Sequence, residues 1–100
     1  MDKEDLRKAM QQAQEMQLDL IKVQNELAHT EISGHSHNSK VRVSMSGEGN
    51  FYSVKIDPVL LAEGLSSVET NILEALKDVT AKAADMTKTK LAQISKTIDL

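Results

Sequence analysis

Eight cations in two groups carry the chemistry for which this sequence is best equipped. Lys3, Arg7 and Lys8 open one helical pattern, Lys22 lies midway along it, and Lys82, Lys88, Lys90 and Lys96 sit toward the end of a second. Cations so placed can neutralise the phosphates of a nucleic-acid backbone without reading a base. The plain alternative for each is a solvated helix face, the usual place for a lysine. Lys90 stands apart because it falls on the line of an apolar stripe.

Other chemistries find little support. His29, His35 and His37 cluster near a polar loop, but the chain has no cysteine and no acidic cluster beside them to complete a metal site. Asp57 before Pro58 reads as a turn-initiating step rather than a catalytic carboxylate. Gly47-Glu48-Gly49 is not followed by a helix, so it closes a hairpin and does not cradle phosphate. The expectation is a protein that is not an enzyme, with no metal, no cofactor and no small-molecule substrate. The only aromatics, Phe51 and Tyr52, are adjacent, which argues against a stacking platform for single strands. Met10, Met16 and Met86 suit gap-filling in an aromatic-poor core or seam better than a peptide groove.

The chain of 100 residues is 40% apolar and carries a formal net charge of −3, which fits one domain with a modest aliphatic core. No apolar run approaches the ~18 residues of a membrane span, so the expected setting is soluble and cytosolic. The charge is uneven. Residues 1–33 hold four basic and seven acidic residues, whereas between Ala81 and Ile98 four lysines face only Asp85. Overall acidity opposes a broad nucleic-acid-binding face but leaves room for a local one.

Leu6, Ala13, Leu20 and Leu27 recur every seven residues, with Ala9, Met16 and Val23 three places on, which predicts a helix over residues 1–29 with a narrow packing seam. Thr30 to Ser33 is β-compatible and Gly34 is expected to break the pattern. Val41, Val43 and Met45, then Tyr52, Val54 and Ile56, alternate with polar residues across Gly47–Asn50, which predicts a hairpin with one apolar face. Residues 30–57 thus form the β segment and 58–65 a connector with a short helical stub. Ser66 and Glu69 have capping-box spacing, and Val68, Ile72, Leu76, Val79, Ala83 and Met86 predict a helix over 66–97 whose tip, at Lys90, leaves the core.

The fold class is therefore α+β: a long N-terminal helix, a three-stranded antiparallel sheet, a short helical stub and a long C-terminal helix. Each long helix would run on the order of 40 Å, against a radius of gyration of about 13 Å for a compact domain of this size. Rods that outreach the core need a partner, and the simplest is a second copy. Leu6, Ala13, Leu20, Leu27, Val54, Ile56, Leu76 and Val79 are the expected core and dimer-seam residues.

In this order and spacing the chain resembles the YbaB/EbfC family of nucleoid-associated proteins. The resemblance rests on Met10-Gln11-Gln12-Ala13-Gln14-Glu15-Met16-Gln17, Glu31-Ile32-Ser33-Gly34, Val41-x-Val43 to Gly47, and above all Val54-Lys55-Ile56-Asp57-Pro58-Val59-Leu60-Leu61. It implies a single domain over 1–100, a tweezer-like homodimer, and binding of double-stranded DNA with little sequence preference in the cytoplasmic nucleoid. Two departures are the charged Asp2-Lys3-Glu4-Asp5 lead-in, where the family is glycine-rich, and the sparse basic residues of the first helix. The rival reading is a dimeric adaptor whose helical arms hold another protein.

Overall fold

The structure, a computed structural model, describes the backbone of residues 2–97 and the side chains of 2–94; the side chain of Lys96 lies outside the described residues. The elements run α1 (Lys3–Ala28), β1 (Glu31–His35), β2 (Val41–Ser46), β3 (Phe51–Ile56), α2 (Val59–Ala62) and α3 (Leu65–Thr97). The strands form one antiparallel sheet in the order β1-β2-β3. The molecule measures 72 × 19 × 14 Å, with a radius of gyration of 20.1 Å, well beyond the ~13 Å of a compact chain this long.

Alternation decides which face of the sheet is apolar. Ile32 lies opposite Met45, Gly34 opposite Val43, Val54 opposite Val43, and Ile56 opposite Val41, so these residues share one face. α3 crosses that face, and Val68, Ala75, Val79 and Ala83 join Ile32, Val41, Val43, Met45 and Leu60 in the core. Ile72, Leu76 and Met86 are only partly buried against it. Ala75 is fully buried while Leu76 is half-buried. The closest approach to the sheet therefore belongs to the small residue.

Gly34 does not end the β pattern as its residue type suggests; it is the fourth residue of β1. A Cβ there would lie 2.6 Å from the Cβ of Val79 and against its backbone nitrogen. The missing side chain is what lets α3 sit directly on this strand. The strand therefore continues through the glycine to His35.

Seating α3 over β1 leaves the other edge bare. Val54 is 51% exposed and Ile56 37%, although both lie on the apolar face. In the single chain they are not core. The distal seam of α1 is bare as well: Leu6 is 51% exposed, Ala13 is exposed, and Met10 and Met16 remain in solvent. Leu20 is half-buried and Leu27 is buried, so the heptad is covered only toward its C-terminal end.

One boundary differs in mechanism from the sequence reading. Ser66 and Glu69 form no capping box, because α3 already begins at Leu65. Gly64, at φ 103°, turns the chain into the helix, and its carbonyl accepts the Val68 N–H at 3.3 Å. The hairpin turn also secures α1. The Gly47 N–H donates to the carbonyl of Leu27 (2.8 Å), in the last turn of α1 where carbonyls lack helical partners, and to that of Thr30 (3.1 Å) just beyond it.

The packing of Gly34 yields a direct test. Gly34→Ala should lower stability by about 1–3 kcal/mol, the usual cost of overpacking, read as a shift in the denaturant midpoint. An unchanged midpoint would mean that α3 does not rest on β1 as described.

Candidate nucleic-acid interface

α1 and α3 form the arm of the molecule. α3 runs antiparallel to β1, then continues past the sheet and meets the C-terminal half of α1. There Lys90 Nζ is 3.0 Å from Glu26 Oε2, and Asp19, Lys22, Val23, Glu26, Lys90 and Ile94 line a shallow hollow between the helices. Ile94 is buried. The tip of α3 therefore does not leave the core at Lys90; it exchanges the sheet for α1, and the mixed surface seen in the sequence is a helix–helix seam. Beyond that seam, the first ~15 residues of α1 project alone, on the order of 20 Å.

The eight candidate cations fall into distinct environments. Lys3, Arg7 and Lys8 lie on the bare part of α1, all exposed, and form no ion pair among the described residues. Lys88 is exposed on the distal half of α3, beside a trough of about 490 Å³ lined by residues including Met45, Gly49, Ala84, Thr87 and Leu91. Lys22 borders the α1–α3 hollow. Lys82 is 2.8 Å from Asp78 in the i, i+4 position, and Lys90 is held by Glu26. The structure thus gathers Lys3, Arg7 and Lys8 at one tip, while Lys82 and Lys90 are engaged within the fold.

Ion pairing sets the carboxylates that hold the arm and sheet. Glu26 is drawn below its ordinary range by the hydrogen bond from Lys90 and the charge of that ammonium. Asp78 is lowered by Lys82 and by the His35 N–H, which donates to its Oδ2 at 2.9 Å. Glu63 is lowered by Lys40 and the Ser67 hydroxyl. These pairs are solvent-accessible, so each contributes modestly.

The histidine loop is tied down by carboxylates. Asp78 takes the His35 N–H, Glu74 takes the His37 N–H at 3.1 Å, and His37 Nδ1 lies 3.4 Å from Glu74 Oε2. These residues flank an open hollow of about 700 Å³. Among the described residues no group of three or more His, Asp or Glu side chains is placed to hold a metal ion. Asp57 does what its place before proline suggests: its carboxylate accepts the Val59 N–H at 3.0 Å. Among the described residues no helix is long and apolar enough to cross a membrane.

Sequence reasoning passed over two cations. Arg42 and Lys55 are directly opposed across β2 and β3, on the sheet face away from α3. The alternation that marks Val41, Val43, Val54 and Ile56 as inward also marks these two as outward, so the signal was present.

The fold, with its projecting two-helix arm and charged tip, defines a class shared with known proteins. Residues 2–98 match the model of the YbaB/EbfC DNA-binding family, and the chain belongs to that family. A nucleoid-associated protein of Gloeothece citriformis is 34% identical over 96% of this chain and 84% of its own length. Another, from Corynebacterium jeikeium, is 31% identical over 95% of this chain and 92% of its own. The crystal structure of an uncharacterized protein from Helicobacter pylori superposes with a TM-score of 0.66 at 22% identity, covering 80% of this chain and 93% of that one; it supports the α+β fold.

The arm seam makes a pH prediction. A carboxylate lowered on folding stabilises above its unfolded pKa, and that contribution is lost as the pH falls through the folded one. Glu26→Gln should therefore melt slightly below the wild type at neutral pH, the small difference expected of a solvent-accessible pair. The gap should close below about pH 4. A gap that persists in acid would contradict the assigned role of the Glu26–Lys90 pair.

Proposed function

We propose that this protein binds double-stranded DNA through its phosphate backbone, with little sequence preference, as a homodimer acting in the cytoplasmic nucleoid. It would thereby organise the nucleoid or regulate genes. The observation that carries the reading is the tip of α1, where Lys3, Arg7 and Lys8 project with no neighbouring element over them, in a family described as DNA-binding. The names of the two curated relatives support the nucleoid setting.

Dimerisation is argued from the uncovered surfaces. Val54 and Ile56, with Phe51 beside them, present an apolar strip in solvent, and the trough along α3 at Ala84, Thr87 and Leu91 borders the same side of the sheet. A second copy seated there would bury both and bring two arms into one assembly, doubling the tip cations. The net charge of −3 makes long-range attraction to DNA weak, and Asp2, Glu4 and Asp5 balance the three tip cations in number, so contact depends on Lys3, Arg7 and Lys8 meeting phosphates directly and on Lys88. Lys22, Lys82 and Lys90 contribute less, since Lys82 and Lys90 already hold a carboxylate and Lys22 borders the helix seam; Lys96 belongs to the same basic end of α3.

The adaptor reading draws on a specific feature too: Leu6, Met10, Met16 and Leu18 are exposed on the same bare arm, a surface that a helical partner would cover. Fluorescence anisotropy of a labelled duplex across a salt series separates the two. With about four phosphates engaged, log K should fall with log salt at a slope of about −4. The triple variant Lys3→Ala/Arg7→Ala/Lys8→Ala should flatten that slope and weaken binding at least ~10-fold, while sequence changes in the duplex should matter little. No binding at low salt would favour the adaptor.

A further inference from the structure

The sheet face turned away from α3 carries two directly opposed cations that the arm does not account for. His35, Arg42 and Lys55 lie directly opposite one another across β1, β2 and β3, about 5 Å apart from strand to strand. Like charges directly opposed weaken a sheet. Arg42 and Lys55 are both exposed, and neither is ion-paired among the described residues. Arg42 instead donates to the Ser33 hydroxyl at 3.1 Å. The next row on the same face is Ser33, Ser44 and Ser53, with Ser44 buried and the other two half-buried, so it leaves the cations standing above it.

The acidic residues nearby leave the row positive. Asp78 beside His35 is occupied by the His35 N–H and by Lys82. Asp57 is turned to the Val59 N–H. Glu31 lies at the other end of β1, opposite Ser46, four residues and roughly 13 Å from the row. α3, the helix that packs on the strands, occupies the opposite face. The result is an exposed pair of cations beside a row of partly covered serines, on a protein of negative net charge.

Resting on the DNA-binding reading above, we propose that this sheet face is a second contact surface for the phosphate backbone of duplex DNA, independent of the arm. Its chemistry fits a phosphodiester chain: two exposed cations at close spacing, and no aromatic on the row for base stacking. The row sits at the end of the sheet far from α1, on the order of 50 Å from Lys3 by the lengths of α1 and β1. A duplex that crosses the long axis of the molecule can meet only one of the two surfaces. Separate surfaces at the two ends of a 72 Å molecule let one assembly hold two duplex segments together.

The test is capture of a free labelled duplex by a second, bead-bound duplex in the presence of the full-length protein, beside anisotropy on a single duplex. The wild type should bridge. Arg42→Ala/Lys55→Ala should reduce capture at least ~10-fold while still binding a single duplex through the arm, with each lost phosphate contact lowering the salt slope by about 0.9. Lys55→Arg should retain capture. The double variant should melt no lower than the wild type, because it removes an opposed like-charge pair.

Adding Arg42→Ala/Lys55→Ala to the tip variant Lys3→Ala/Arg7→Ala/Lys8→Ala should abolish the remaining salt-sensitive binding. If the double variant bridges as well as the wild type, or the combined variant binds no worse than the tip variant, the sheet surface is refuted and the arm's role stands. If the wild type binds no duplex at all, both readings fall together.

Discussion

One helix is too narrow to cover three strands, and the architecture follows from that mismatch. An α-helix with its side chains is about 10–12 Å across, whereas three strands at ~4.8 Å spacing with their flanks span about 14 Å. Gly34 then draws α3 to one side, because only there can the helix backbone approach the strand closely. The result is a sheet well packed over β1 and β2 and bare over β3. The same helix runs past the sheet and offers its second half to α1, so the arm is a continuation of the core packing rather than an appendage.

Function, on our proposal, uses what that packing leaves over. The apolar strip of β3 supplies a place for a second copy, and the unaccompanied start of α1 supplies a charged tip. Lys90 illustrates how the two roles divide. Its position on the apolar line suggests a cation presented outward, yet it spans the seam to Glu26. It helps hold the arm together, and the contacts with DNA fall to cations with no internal partner.

Much of the fold was legible in the sequence because periodicity reports faces directly. The heptad at Leu6, Ala13, Leu20 and Leu27 marked a helix whose seam is covered only toward Leu27, while the alternation at Val41, Val43 and Met45 and the three-four steps of α3 each marked an element and its buried side. Periodicity does not say which element covers a face, so Val54 and Ile56 read as core although nothing in their own chain covers them. Gly34 misled for a related reason: local propensity marks glycine as a break, while its role here is set by a helix forty-five positions away. The capping-box spacing at Ser66 was outcompeted by the positive φ of Gly64. Among the site residues, the tip cations were visible as charges on a helix, but the row formed by His35, Arg42 and Lys55 exists only once the strands are in register.

Sedimentation equilibrium on the intact protein at micromolar concentration tests the central claim most directly, with Val54→Asp as its companion. The account predicts twice the chain mass for the wild type and a shift toward the single chain for the variant, since a carboxylate would then be buried in the apolar strip. A folded wild type that sediments as one chain would contradict it.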